Sequence, residues 1–540
     1  MNDPLAELRA AVVSSSDSLH EGGTRSAPSL ENPPDPDLGD YSTNAAMLLA
    51  PALGESPRDI ADRLAEHLGA ALGDALERAE VAGPGFLNLF LSDSWYRDAV
   101  AALAATGDDL GRPPSADPNG SVLVEFVSAN PTGPLTAAGG RHAAYGDSVA
   151  KILEFCGYRV QREYYLNDAG GQIERFAASI AARMDGEEPP EDGYRGEYVA
   201  EIAARLREEG VDPGDRDAIA RLGPALMRED AEASLRRLSV EFDNWFSERS
   251  LRGDGAPMER ALADLRASGH VYETEGAVWL RTSVFGDDTD RVLVRSEGEP
   301  TYLLADIAYH RDKLERADAL IDVLGADHHG YIGRLRAGIE ALGFDPVRLE
   351  FAIMQFVHVV EGGERSQMSK RKGEFVTLDE LIDDIGADAT RFFMVQRSHD
   401  TAIDLDLELA RSRSNENPVY YVQYAHARIA SILRRALEPD QGERITRGQA
   451  PLEPAERALI RRLCELQGEV AEAGSRRAPH RLCAYATAVA ADFHAFYRDC
   501  QVVGAEGEGV EPFRLELCVV TGRTIARTLG LLGISAPERM

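Results

Sequence analysis

Apolar positions along the chain follow two different periods, and the change between them divides it. Val122 to Val127 is a short apolar run bounded by turn residues, the pattern of a strand buried on both faces. A Pro and Gly loop from Asn130 to Pro134 follows, then a helix whose Tyr145, Val149, Ile152, Leu153 and Cys156 keep helical spacing. Tyr158 to Leu166 reads as a second strand. Strand, loop, helix, strand implies a right-handed parallel crossover. A second set comprises helix-like Asp306 to Arg316, the apolar run Ala319 to Leu324, a helix near Tyr331 to Leu342 and strand-like Phe351 to Val360. Two such halves predict an α/β, doubly wound Rossmann-type domain over residues 118–410. The polar, mostly helical stretch 185–295 is expected as an insertion between the halves.

Beyond about residue 412 only helical periodicity remains, as in Val422, Ala425, Ile429, Ile432 and Leu433, so 411–540 is expected to be an all-helical bundle. Residues 1–110 read as a small α+β unit. It is interrupted from about 16 to 40 by a loop rich in Ser, Gly, Pro and Asp and resumes helical spacing at Ala45. The Gly, Pro and Asp rich segment Gly107 to Gly120 is a linker.

A chain of 540 residues exceeds one hydrophobic core, which agrees with three units. A formal charge of −33 argues against a general nucleic-acid coat, because phosphate binding draws on an excess of Lys and Arg. Any RNA contact must come from local patches. Positive charge is nearly all arginine: the lysines are Lys151, Lys313, Lys370 and Lys372, two of them in one short segment. The cysteines at 156, 464, 483, 500 and 518 show no metal-ligand or disulfide spacing. His328 and His329 are adjacent, so their side chains diverge, and no third ligand is suitably spaced; no structural metal is expected. No basic and apolar leader opens the chain and no run approaches 18 apolar residues, so a cytoplasmic protein without membrane segments is expected.

Neither GxxxxGK[ST] nor GxGxxG occurs. Two other segments suit a nucleotide. In EFVSANPTGPLTAAGGRHAAYGD, Glu125 to Asp147, a strand end delivers a Pro and Gly loop onto a helix N-terminus, where N–H groups and the helix dipole favour phosphate. In QMSKRKG, Gln367 to Gly373, a polar run holding Lys370 suits a loop that closes over phosphates and stabilises charge on departing pyrophosphate. A plain strand-to-helix connection and a solvated basic loop are the alternatives.

Together these segments resemble the HIGH and KMSK signatures of class I aminoacyl-tRNA synthetases. Flanking words narrow the resemblance to arginyl-tRNA synthetases: GDYSTNAA at Gly39, REYYLNDAG at Arg162, TYLLADIAYH at Thr301, GADHHGY at Gly325, NENPVYYVQYAHARI at Asn415 and the terminal LLGISAPERM. The resemblance runs in order from residue 39 to 540. It implies ligation of L-arginine to tRNA(Arg) with ATP and Mg²⁺, through arginyl-adenylate formed once tRNA is bound, by a monomer. It places ATP near Pro131, Thr136, Gly139, Gly140, Gly325, Asp327, Met368, Ser369 and Lys370, with Lys370, Thr136 and Gly139 at the chemistry. Glu125, Ser128 and Asn130 are implied at the α-amino end of arginine, and Tyr302, Asp306 and His328 around its guanidinium. A planar cation that bonds carboxylates bidentately needs such acceptors. The alternative for Tyr302 and Asp306 is a buried aromatic and a helix N-cap.

The implied tRNA contacts are Asp40, Tyr41 and Asn44 in the N-terminal unit and Asn415, Tyr420, Gln423, Tyr424 and Arg428 in the bundle. The latter group combines stacking and hydrogen-bonding side chains, as single-stranded loops require. Tyr420 and Tyr424 also suit a helix core. The chain departs from the first signature at Thr136 and Gly139, where the family usually has histidines, and from the second at Gln367. Arg141 and His142 lie near enough in sequence to compensate. A catalytically weak or inactive paralogue that binds tRNA is the rival reading.

Overall fold

The computed structural model describes residues 3–540 except 25, 34, 115–119, 254, 366–375 and 437–449. Five parallel strands form the central sheet, in spatial order Leu349–Met354, Ala319–Gly325, Ser121–Glu125, Arg159–Leu166 and Asn244–Ser247. Val122, Leu123 and Val124, like Leu320, Ile321 and Val323, are buried whichever way they point, which is why these strands read as unbroken apolar runs. From Ser121–Glu125 the chain continues to one side through Arg159–Leu166 and returns much later on the other through Ala319–Gly325. Strand order reverses there, opening a crevice at the carboxyl ends of these strands, where such folds bind ligands.

The doubly wound domain is as expected, but the insertion is less separate than its polarity suggests. Asn244–Ser247 joins the main sheet as an edge strand, and Val271–Thr274, Ala277–Leu280 and Arg291–Val294 form an antiparallel sheet of their own. Four-residue strands are too short to show a period. The insertion's helices are Glu197–Glu208, Arg216–Arg237 and Pro257–Ala267, and the first two share with the preceding helix Gly171–Asp185 a small core around Phe176, Ile180, Leu206 and Met227. Phe351 to Val360 is also two strands rather than one. Leu349–Met354 lies in the central sheet, Gln355 N–H turns away to His399 O, and Val357–Glu361 pairs with Ile403–Asp406.

In the N-terminal unit, Tyr41–Thr43, Phe86–Leu91 and Leu76–Ala82 form an antiparallel sheet packed by helices Pro4–Leu19, Ala45–Leu53 and Pro57–Leu72. The first helix runs past the expected break at residue 16, with the hydroxyls of Ser16 and Ser18 donating back to Val12 O and Ser14 O. The carboxy-terminal bundle comprises Pro418–Ala436, Pro454–Cys464, Leu466–Ser475, His480–Asp499 and Val510–Leu531. It packs against the helix Ala137–Phe155, whose Tyr145 hydroxyl donates to Arg477 O at 2.9 Å.

Candidate active site

The strand Ser121–Glu125 ends in an unusual loop. Val127 and Ser128 have φ of 68° and 41°, a region that non-glycine residues rarely enter and that is an outlier for a β-branched one. Outside contacts hold the loop: Tyr164 OH donates to Ala129 O at 2.9 Å and Tyr198 OH to Thr132 O at 3.0 Å. Pro131 is buried, whereas Asn130 is exposed and donates to Gln172 Oε1 at 2.9 Å. The loop feeds the helix Ala137–Phe155 at its N-cap, Thr136, whose Oγ accepts from Gly139 N–H at 3.4 Å.

That helix start meets the segment following Gln367 to Gly373. Thr136 bridges Thr377, Ala137 N–H donates to Val376 O at 3.1 Å, and Leu378 N–H donates to Leu135 O at 2.8 Å. The structure therefore brings Val376 to Leu378, just after the second signature, to the start of this helix; the signature itself, with Met368, Ser369 and Lys370, lies outside the described residues. One expectation is corrected here. The N–H groups of Ala137 and Gly139 already have acceptors within the protein, so those two donors are not free for a phosphate. Arg141 is corrected too: its buried guanidinium donates to the carbonyls of Gln355, Ser398 and Thr401, which ties down the sheet behind the helix.

A row of polar side chains crosses the sheet beneath the helix Tyr302–Arg316. Strand register sets Asp322, Glu125, Glu163 and Asn244 side by side, all but Asn244 buried. The helix lays Tyr309, His310, Lys313 and Arg316 over the row from one face, since residues three or four apart share a side. Tyr309 OH donates to Glu163 Oε1 at 2.8 Å, Arg316 to the same oxygen at 2.9 Å, and Asn244 Nδ2 to Glu163 Oε2 at 2.5 Å. Lys313 Nζ donates at 2.6 Å to both Glu125 Oε2 and Asp322 Oδ1. His310 Nε2 lies 2.7 Å from Asp322 Oδ2, and its Nδ1 lies 2.8 Å from Asp306 O. Ser128 Oγ donates to Glu125 Oε1 at 2.9 Å.

One turn before Tyr309, the Asp306 carboxylate accepts from Tyr331 OH at 2.5 Å. Burial raises its pKa, with Glu125 and Glu248 adding to the shift and Tyr331 opposing it. Glu248 is buried beside exposed Arg252, 3.2 Å away. Burial raises the Tyr165 pKa, and nearby Glu248, Asp306 and Glu125 raise it further. The crevice thus presents acceptors suited to a ligand with two separated cationic groups. Sequence reasoning found Glu125, Ser128 and Asp306 but missed Glu248, Tyr165, Tyr331 and Lys313. Tyr302, expected beside Asp306, stands 72% exposed at the first helical turn, so it is neither a buried aromatic nor turned into the cluster. Gly325 ends its strand beside Met354, and a short 3-10 turn, Ala326–Tyr331, follows. The side chains of Asp327 and His328 lie outside the described residues. Among the described residues no group of three or more His, Cys, Asp and Glu side chains is arranged to hold a metal ion.

Comparison with known proteins decides the family. Arginine–tRNA ligase of Shouchella clausii is 45% identical over 95% of this chain and 94% of its own, and that of Bacillus subtilis is 43% identical over 100% and 99%. The chain belongs to the arginyl-tRNA synthetase family. Family models for the arginyl tRNA synthetase N terminal domain, the class I (R) catalytic domain and the DALR anticodon binding domain match residues 6–91, 226–426 and 422–540. The solved Thermus thermophilus arginyl-tRNA synthetase superposes with a TM-score of 0.77 at 27% identity, covering 99% of this chain and all of that one.

Within this family member the residues expected at tRNA divide in two. Asp40 and Tyr41 are buried, and Asp40 accepts from Leu91 N–H, Tyr96 OH and Arg461, so it fastens the N-terminal unit to the bundle rather than facing solvent. Asn44 is half-buried and accepts from Ser29 N–H. Gln423 is buried and donates to Asp388 and Ser535 O, another structural tie. Asn415 is exposed. Tyr420 and Tyr424 are half-buried with parallel rings 6.0 Å apart, and the Arg428 guanidinium lies 4.9 Å from the rings of both Tyr424 and Tyr497. They form a ladder at the bundle surface, not a core, and Tyr497 extends it.

Proposed function

We propose that the chain ligates L-arginine to tRNA(Arg) in two steps, converting ATP, arginine and tRNA into arginyl-tRNA, AMP and diphosphate. A carboxylate oxygen of arginine attacks the α-phosphorus, and the bond to the bridging oxygen of pyrophosphate breaks. A terminal ribose hydroxyl of the tRNA then attacks the acyl carbon, loses its proton and expels AMP. Such phosphoryl chemistry asks the protein mainly for positioning and charge stabilisation. Glu125, Ser128 and Asn130 hold the α-amino end. Asp306 and Glu248, with the Tyr165 and Tyr331 hydroxyls, take the guanidinium, and His328 lines the pocket. ATP lies against Pro131, Thr136, Gly139, Gly140, Gly325 and Asp327, with Met368, Ser369 and Lys370 over its phosphates. Mg²⁺ arrives on ATP, which supplies most of its ligands. The Tyr420, Tyr424 and Arg428 ladder, with Asn415, stacks single-stranded bases. The protein works in the cytoplasm as a monomer.

The observation that supports this reading most is that Glu125 at one strand end, Glu248 just past the edge strand and Asp306 on the helix Tyr302–Arg316 all act on Tyr165. Arginine-dependent exchange of pyrophosphate into ATP, with and without tRNA(Arg), is the test. Exchange that requires tRNA is the expected result. No exchange despite tRNA binding would replace the reading with a non-catalytic tRNA-binding paralogue.

A further inference from the structure

Lys313 has no role in the reaction as described, yet its ammonium is the only cation that bonds Glu125 among the described residues. It is fully buried on the helix Tyr302–Arg316, with Nζ 2.6 Å from Glu125 Oε2 and 2.6 Å from Asp322 Oδ1, and 4.5 Å from the Tyr309 ring centroid. The register pairs Glu125 with Asp322 on one side and Glu163 on the other, so three buried carboxylates stand at strand spacing, about 5 Å apart. Like charges that close in a desolvated site do not all stay ionised: one takes up a proton. Arg316 and Tyr309 serve Glu163, and His310 serves the far oxygen of Asp322. The central carboxylate depends on Lys313.

We infer that Lys313 is a positioning residue for recognition of the substrate's α-ammonium. It pairs with the Glu125 carboxylate and fixes its rotation, so that the lone pairs not taken by Lys313 and Ser128 face the crevice. Its charge is divided between Glu125 and Asp322, so this trio keeps one net negative charge for an incoming ammonium. The inference rests on the reading of Glu125 as the amine acceptor.

The test compares arginine with the guanidino acid that lacks the α-amino group. KM for arginine and the competitive Ki of the des-amino acid are measured by pyrophosphate exchange with tRNA, in wild type, Glu125→Gln, Lys313→Met and the charge-balanced pair Lys313→Met with Asp322→Asn. The balanced pair covers the case where Lys313→Met alone fails to fold. A charge-assisted bond contributes roughly 10- to 150-fold to binding. The Ki to KM ratio should therefore fall at least tenfold in Glu125→Gln and in the Lys313 variants, through KM alone, with kcat held within a few-fold. KM and Ki rising together would make Lys313 a structural residue and overturn the inference. A ratio lost in Glu125→Gln but kept in the Lys313 variants would overturn it while sparing the reading of Glu125. A ratio unchanged in Glu125→Gln would remove that reading and the inference with it.

Discussion

Asp306, the acceptor proposed for the guanidinium, is held at a cost in stability when ionised. Burial raises its pKa, and so do neighbouring Glu125 and Glu248. An acid whose folded pKa lies above the unfolded value contributes stability at low pH and loses it as pH rises through the folded value. At neutral pH the ionised carboxylate therefore costs stability, and Asp306→Asn, which can still accept from Tyr331, should melt higher than wild type by thermal scan. The same change should raise KM for arginine by roughly a hundredfold, the loss of a charge-assisted pair with a guanidinium. A lower melting temperature with unchanged KM would remove Asp306 from the pocket. The sign also fixes a pH effect: as pH falls, arginine affinity should weaken above the usual carboxylate range, because the form that binds guanidinium is lost early. Asp322 behaves oppositely. Burial alone would raise its pKa, but Lys313 and His310 outweigh that and hold it near 2. Its contribution to stability is complete above about pH 4 and is lost as pH falls from there towards 2. Glu125 and Asp306 were legible in sequence because they sit inside recognisable words. Glu248 was not, since it is unremarkable locally; Tyr165 and Tyr331 sit inside such words too, but nothing local tells that their hydroxyls gain a place beside these carboxylates when strands and helix ends converge.

At the scale of the element, the helix after the first signature lies closer to the sheet than any side chain would permit. A Cβ on Gly146 would stand 2.2 Å from Phe126 Cγ and 2.6 Å from its Cβ, and Phe126 is fully buried directly after Glu125. Helix propensity favours alanine over glycine by about 1 kcal/mol. Overpacking against an immobile ring costs about 1–3 kcal/mol and more when the contact is this short. The clash wins, so Gly146→Ala should lower the denaturation midpoint and raise KM for arginine as Glu125 shifts with Phe126. Gly139 is the contrast, because a Cβ there meets only Leu135, at 3.7 Å. Gly139→His should leave thermal stability unchanged and, by adding a donor beside the phosphates, raise the pyrophosphate exchange rate. An unchanged rate would place the phosphates elsewhere. The periodicity that revealed this helix said nothing of its distance from the sheet, and it could not give the register that lines up Asp322, Glu125 and Glu163. Residues on separate strands share no local signal, and the edge strand Asn244–Ser247 was too short to notice.

Across the whole molecule, one buried arginine joins parts of the chain that are far apart in sequence. Arg391 is fully buried; its Nε donates to Leu532 O at 2.7 Å, one terminal nitrogen to Leu238 O at 2.8 Å and the other to Asp147 Oδ2 at 2.6 Å. Asp147 lies on the helix of the first signature, Leu238 ends the helical insertion, and Leu532 ends the last helix of the bundle. Gly533, at φ 68°, leaves the room, since a Cβ there would come within 2.3–2.7 Å of the guanidinium. Removing one partner of a buried pair typically costs about 3–5 kcal/mol. Asp147 keeps Lys151 and more distant Arg162, so Arg391→Met should fall near the lower end of that range. The Leu238 carbonyl loses its donor as well, and Leu532 O, on the bundle side of the seam, is left with only the longer bond from Ser148 Oγ at 3.4 Å. Calorimetry should then show the bundle melting apart from the catalytic domain, with two transitions where a single one is expected for wild type. If the seam depends on the charge pair, Asp147→Asn combined with Arg391→Met should cost less than the sum of the single changes. Additive costs would mean that the carbonyl bonds alone hold the bundle in place, and a single lowered transition would mean that Arg391 stabilises the domains without joining them.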